Sequence, residues 1–242
     1  MFKLIGYWGF EMARRPVFIA TGQENHLVEE MLVDFIWNPG FSPIQKKKNV
    51  SALHESAKKI NLFPILEVST KSEELLGKRL SAFSLKLKTE LGEISLESAY
   101  QGSKVFKSGG PYTDIYNKDG VGAKTDERMK TSGELVCFRY FGQEWPLTPK
   151  TAFYDWLYLS ALRPYQDFLK RLFEYKGFTD IEFNPKKSIN CQARSCALLV
   201  SLLRLDLLEK ALSSEKNFIE MIDAESSSEV RYAKLYQGSL AV

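Results

Sequence analysis

The chain has 242 residues, 44% hydrophobic and 13% aromatic, which excludes a disordered polypeptide and permits one domain with a sizeable core. Its 33 Lys and Arg against 30 Asp and Glu leave a net charge of +3, less basic than a general DNA-coating protein. Three cysteines (Cys137, Cys191, Cys196) and two histidines (His26, His54), with no CxxC pair and no HExxH, argue against a disulfide framework and a zinc site. That usage suits a reducing cytosol, so a cytoplasmic protein is expected. The longest apolar run, from Cys196 to Leu208, is broken by Ser201, Arg204 and Asp206, short of the roughly 20 residues a membrane helix needs, so no membrane partner is expected. Residues 1–10 are glycine-broken and followed by Glu11, unlike a signal peptide, and Met12-Ala13-Arg14-Arg15-Pro16 reads like a soluble N-terminus. Met1 and Met12 both stand as candidate translation starts.

In chain order, strand-like runs come first: Val17–Ala20, Leu27–Trp37, Ile65–Ser69, Ser81–Lys88 and Glu93–Leu96. Between them Ser42-Pro43-Ile44-Gln45 combines a capping hydroxyl, proline at the first helical position and Gln in the capping-box place, with Val50, Leu53, Ala57 and Ile60 on one apolar face. Lys46–Lys48 reads as the solvated face of that helix or as a nucleic-acid patch. Glu97–Lys107 reads as a helix ended by Gly109-Gly110-Pro111, and 109–134 as a long loop of the kind that is functional or disordered. Further helices are expected from Thr148-Pro149 through Ala161, over Phe168–Tyr175, from a cap at Ser188 or Asn190 through Leu212, and from Ser214 through Ile222. Strands first and helices later predict an α+β single domain with a mainly helical C-terminal half.

The stretch Leu96 to Lys104 carries the strongest chemical suggestion. On a helix, the seven steps from Glu97 to Lys104 fall roughly 20° short of two turns, so both project from one face about 10 Å apart, with Tyr100 and Gln101 between. The plain reading is a solvated stripe with a weak salt link. The chemical reading starts from the apolar neighbours Ala99, Val105 and Phe106, which would lower a lysine's pKa. A neutral lysine attacks an electrophilic carbon, and a nearby carboxylate manages protons. That pairing suits a sugar's anomeric centre. A second cluster sets Lys186 and Lys187 before a helix start with Arg194 in its first turn, which fits a phosphate or, equally, an Asn190 cap among wet charges. Cys191 and Cys196 read as small buried residues. Tyr112 and Tyr116 beside Asp114 could stack a purine and bond a ribose, or simply pack the loop.

Together these residues resemble the NADAR family, proteins linked to NAD and ADP-ribose metabolism. The family's Leu-Ser-x-Phe segment is here Leu80-Ser81-Ala82-Phe83, and its Glu-x-x-Tyr-Gln-x-x-Lys helix is Glu97, Tyr100, Gln101 and Lys104. Asp180, Glu182 and Asn190 look like its acidic segment and Asn-led helix, and the resemblance covers roughly residues 80–208. Met12–Ile19, Gly109–Asp114 and Ser188–Ser195 are similar to the NADAR antitoxins, encoded beside toxins that ADP-ribosylate guanine bases in DNA. The resemblance implies an N-glycosidase that removes ADP-ribose from guanine in DNA, with ADP-ribosylated DNA as substrate and a cognate ADP-ribosyltransferase toxin as partner. It implies that Lys104 and Glu97 are catalytic. Phe83, Tyr100, Gln101, Tyr112, Asp114, Asp180, Glu182, Lys187, Asn190 and Arg194 are then expected to bind ligand, with no metal and no cofactor. Lys187, Asn190 and Arg194 would hold the diphosphate. The expected organisation is a strand-rich extension over 1–79, a NADAR-like catalytic region over 80–222 and a loose tail over 223–242. Two alternatives remain: cleavage of a small N-glycoside such as a riboflavin-pathway intermediate, and a non-catalytic module that binds ADP-ribose or a toxin.

Overall fold

The computed structural model describes residues 11–185 and 188–223. The expectations for residues 1–10, for Lys187 and for the tail beyond 223 lie outside them. The chain opens with β1 (Met12–Gln23) and β2 (His26–Ile36), paired antiparallel with Val17 opposite Met31. Strand β1 outruns the apolar run Val17–Ala20 at both ends, whereas β2 nearly coincides with the run Leu27–Trp37. Helix α1 (Pro43–Lys59) starts as its sequence dictates, with the Ser42 side chain accepting from Gln45 N–H and proline in its first turn. It lays Val50, Leu53 and Ala57 against Val17, Val33 and Phe35, forming a satellite core. Then come β3 (Ile65–Glu67) and the short α2 (Leu75–Arg79).

The antiparallel hairpin of β4 (Lys86–Thr89) and β5 (Gly92–Ser95) leads into α3 (Leu96–Gly102). The expected strand from Ser81 is a turn as far as Leu85, with Ser84 N–H and Leu85 N–H both donating to Ser81 C=O. The expected helix to Lys107 ends at Gly102, where a Cβ would sit 2.6 Å from the Tyr116 ring. The chain turns there into β6 (Lys104–Phe106), so Lys104 stands on a strand and not on the helix face of Glu97. The expected loop over 109–134 holds a 3₁₀ turn (Thr113–Asn117), α4 (Gly120–Lys124) and α5 (Arg128–Thr131). Strands β7 (Leu135–Tyr140) and β8 (Gln143–Trp145) complete a three-stranded sheet in the order β6-β7-β8.

Helix α6 (Ala152–Leu162) begins three residues after Pro149 and is buried almost throughout. Helix α7 (Gln166–Leu169) and a 3₁₀ turn (Lys170–Glu174) follow. Strand β9 (Gly177–Thr179) then slots between β1 and β3, parallel to β3, giving the sheet order β2-β1-β9-β3. Helix α8 (Gln192–Arg204) crosses that sheet. Neither Ser188 nor Asn190 caps it: the N-cap position is Cys191, with no side-chain bond. It stops at Arg204, and Asp206 at φ 56° separates it from α9 (Leu208–Ala211). Residues 215–223 are helical again.

Phe18, Leu27 and Leu66 from the first 79 residues share one core with Trp145, Phe153, Tyr158, Phe178 and Leu198. The chain is thus an α+β single domain with its strands early and its long buried helices late. No helix among the described residues is long and apolar enough to cross a membrane.

Candidate functional site

Helix α3 is placed by its start. Ser95, the last residue of β5, accepts from Ser98 N–H at 3.1 Å, and Ser98 Oγ donates to Lys118 C=O at 2.7 Å, clamping the helix under the 109–134 segment. Of its seven residues only Tyr100 is not buried, so Glu97 and Gln101 are held inside the protein. Gln101 Nε2 donates to Glu97 Oε1 at 2.7 Å, and Lys104 Nζ donates to Gln101 Oε1 at 2.7 Å. The acid and the amine therefore meet through one amide, although they do not share a helix face. The link survives because β6 starts within two residues of α3.

Lys104 is half-buried, and its ammonium lies 5.0 Å from the Tyr100 ring centroid. Burial lowers its pKa from the usual lysine value; Glu97 works against that shift and Lys124 adds to it. Tyr100 is pushed up to about 12, chiefly by burial, so it remains a neutral phenol. Asn190 Nδ2 donates to the Tyr100 hydroxyl at 2.8 Å, while the buried Asn190 Oδ1 meets no partner. Gly120, the first residue of α4, fits closely over the acid: a Cβ there would lie 3.2 Å from Glu97 Cβ and 3.3 Å from Phe83 Cδ1. Phe83 is 45% exposed beneath Lys124, whose ammonium is 5.5 Å from its ring centroid. Glu97, Gln101, Lys104, Tyr100, Asn190 and Phe83 are thus gathered in one place. Gly120 and Lys124 join them without having been singled out by sequence. Their one signal was Asp119, which caps α4 by accepting from Gly122 N–H at 2.6 Å.

The other expected ligand residues are engaged elsewhere. Arg194 does not stand open for a phosphate: it donates to the buried Asp155 at 3.1 Å, and Ser195 Oγ donates to the same carboxylate. Asp114 is gripped by both terminal nitrogens of Arg128 at 3.0 and 2.7 Å, which holds its carboxyl below the usual range. Tyr112 bonds Ser132 Oγ at 2.6 Å and lies 4.5 Å under the same guanidinium. Glu182 pairs with Lys46 and Lys71 at 3.8 and 3.7 Å, so Lys46 is not simply solvated.

Asp180 anchors the site from behind. Gln192 Nε2 donates to it at 2.9 Å, and Gln192 Oε1 accepts from Ala82 N–H at 2.7 Å, tying the Leu80–Phe83 turn to α8. Behind Asp180 lies Glu67, fully buried, accepting from Ser69 Oγ, Thr179 Oγ1 and Ile181 N–H at 2.6, 2.7 and 2.9 Å. Desolvation first, then the Asp180 charge, pushes the Glu67 carboxyl up. A cavity of about 1150 Å³ lies beyond this turn and is lined by Trp145, Trp156, Phe141 and Tyr165; neither Glu97 nor Lys104 borders it.

An α+β domain that brings a Leu-Ser-x-Phe turn against a buried Glu-Gln-Lys chain and an Asn-led segment has the architecture of the NADAR class. The chain belongs to the DarT1-associated NADAR antitoxin family, whose model matches residues 13–232. That match reaches beyond the motifs of 80–208 and takes in β1, β2 and α1. A comparison with curated proteins finds no match.

Proposed function

We propose that this protein is an ADP-ribosyl N-glycosidase that removes ADP-ribose from guanine bases in DNA, acting as antitoxin to a DNA ADP-ribosyltransferase. The supporting observation is the Glu97–Gln101–Lys104 chain with a lysine of lowered basicity. The Lys104 amine forms a bond to C1 of the base-linked ribose. The C1–N bond to guanine breaks, and its electron pair stays on the base, which takes up the proton that leaves Lys104, passed on by Glu97. Glu97 stabilises the cationic carbon and receives the proton that Lys104 loses. Water then adds to the same carbon, the bond to Lys104 breaks and the amine regains its proton, so the net change is hydrolysis. Gln101 fixes both groups, and Tyr100, held by Asn190, forms the wall beside the amine.

The test is release of ADP-ribose from an oligonucleotide carrying ADP-ribosyl guanine. Wild type is expected to restore the base and Lys104→Ala to leave it modified. Retained turnover by the variant would remove Lys104 from the chemistry. Release only from a small N-glycoside would assign the same groups to a metabolite, and binding of ADP-ribose without turnover by wild type would indicate a non-catalytic module.

A further inference from the structure

We infer that Lys124, standing over Phe83, binds the phosphate carried by the sugar that Lys104 and Glu97 act on. This rests on the glycosidase reading above and adds a recognition element to it. The argument begins with α4. Gly120 and Lys124 are four apart and so share a helix face. Gly120 turns that face toward Glu97 and Phe83, within 3.2–3.3 Å of a Cβ placed there, and the absence of a side chain lets the helix come so near. One turn on, Lys124 reaches the Phe83 ring at 5.5 Å. Its charge is also felt at the Lys104 amine, which it makes less basic. The neighbouring cations are satisfied within the fold: Lys118 pairs with Asp126 at 2.7 Å, and Arg128 with Asp114 and Asp126 at 2.7 and 2.9 Å. Among the described residues no carboxylate pairs with Lys124, which is exposed at the mouth of the site.

A cation that depresses its neighbour's basicity while unmatched by an acid is what a site needs if its ligand brings the anion. A furanose held with C1 at Lys104 carries its C5 substituent on the far side of the ring oxygen, and turning that side toward α4 brings it to Lys124. A phosphate there would meet the Lys124 ammonium, with the Phe83 ring packing beside the sugar. Arg194 cannot supply this charge while it serves Asp155. The shared chemistry is a phosphate ester on the sugar, whether the diphosphate of ADP-ribose or the monophosphate of a small N-glycoside.

The experiment compares wild type, Lys124→Gln and Lys124→Arg on three substrates: an oligonucleotide with ADP-ribosyl guanine, the same oligonucleotide with an unphosphorylated ribosyl guanine, and a small ribose 5-phosphate N-glycoside. Lys124→Gln is expected to raise KM for the phosphate-bearing substrate that wild type accepts by about tenfold or more, the worth of one charge-assisted contact. The ratio of kcat/KM between phosphorylated and unphosphorylated substrates should collapse, and Lys124→Arg should restore it. Any change in Lys104 basicity acts on both substrates alike and leaves that ratio untouched. An unchanged ratio would overturn the assignment. Calorimetry with free ADP-ribose and ribose 5-phosphate is independent of turnover. If wild type cleaves nothing, weaker binding of both by Lys124→Gln still supports the phosphate contact while the glycosidase reading falls. Equal affinities would end the proposal.

Discussion

The Asn190 amide donates to the Tyr100 hydroxyl at 2.8 Å, joining the approach to α8 to the helix that carries Glu97. That single bond spans 90 residues of sequence. It sets the ring that forms one wall around the Lys104 amine. Asn190→Ala is expected to leave the fold intact and to lower kcat by up to about tenfold, since a net hydrogen bond is worth about 0.5–1.5 kcal/mol. Steady-state rates beside a melting curve check this; an unfolded variant would mean that the bond supports the domain rather than the site.

The lowered basicity of Lys104 sets the pH dependence of turnover. The reactive form is the neutral amine, so the rate should climb with pH and level off below the ordinary lysine value of 10.5. The charged groups acting on the amine are Glu97 from α3 and Lys124 from α4. Removing the like charge in Lys124→Gln should move the climbing limb to higher pH. A rate profile on the modified oligonucleotide, taken for both proteins, reads the direction. A shift to lower pH would contradict the placement of these charges.

Gln101→Leu removes the amide that joins the acid to the amine while preserving much of the side chain's bulk. The buried Glu97 carboxylate loses a donor and Lys104 loses its orienting acceptor. Such a loss costs about 1–3 kcal/mol when a buried group is left unsatisfied. Turnover should fall by about tenfold to a hundredfold, with ADP-ribose affinity changing far less. Single-turnover kinetics with excess enzyme separate the two effects.

Arg194 is expected to matter for stability. Its partner Asp155 has a side chain 2% exposed, and burial raises that carboxyl's pKa while Arg194 counters the rise. Arg194→Met would strand the carboxylate, at a cost of about 3–5 kcal/mol. Adding Asp155→Asn should recover a large part of the loss. Denaturant melts of the single and double variants check this, and an unaltered melt for Arg194→Met would show that the pair contributes little.

Glu67 predicts an unusual pH trend. Its folded pKa is raised above the ordinary glutamate value of 4.5, by burial and by Asp180. In the window between the unfolded and folded values the native state therefore binds more protons than the unfolded one. Its contribution to stability is full below about pH 4.5 and is lost as pH rises toward the folded value. Glu67→Gln should flatten the decline in melting temperature from mildly acid to neutral pH. Parallel slopes for wild type and variant would mean that Glu67 ionises normally.

Helix α1 follows directly from its sequence because every signal that starts it is local: the Ser42 cap, Pro43 and one apolar face. The same holds for β2, where the apolar run and the strand nearly coincide. Strand β7 gave no such sign. Cys137 and Phe138 are both buried, so the alternation that marks a half-wet strand fails in its middle. The sequence runs Lys104 into α3 because its next breakers are Gly109-Gly110-Pro111, whereas the helix ends on the crowding of Gly102 against Tyr116, a contact made across the fold. The pairing of Glu97 with Lys104 was still visible, since a polar chain through Gln101 replaces the shared face. The fates of Arg194 and Asp114 were not, because their partners Asp155 and Arg128 lie 39 and 14 residues away and no spacing rule joins them.

The insertion of β9 between β1 and β3 has a consequence for the timing of synthesis. The first hairpin and β3 are made early, but the strand that seats between them arrives only at Gly177–Thr179. At ordinary elongation rates the nascent chain waits for roughly ten seconds after β3 with facing strand edges open. The Gln192 tie to Ala82 and the Asn190 tie to Tyr100 come later still. The site therefore cannot assemble until Gln192 has been made, and a message cut short before that point yields a chain with Glu97 and Lys104 present but unassembled.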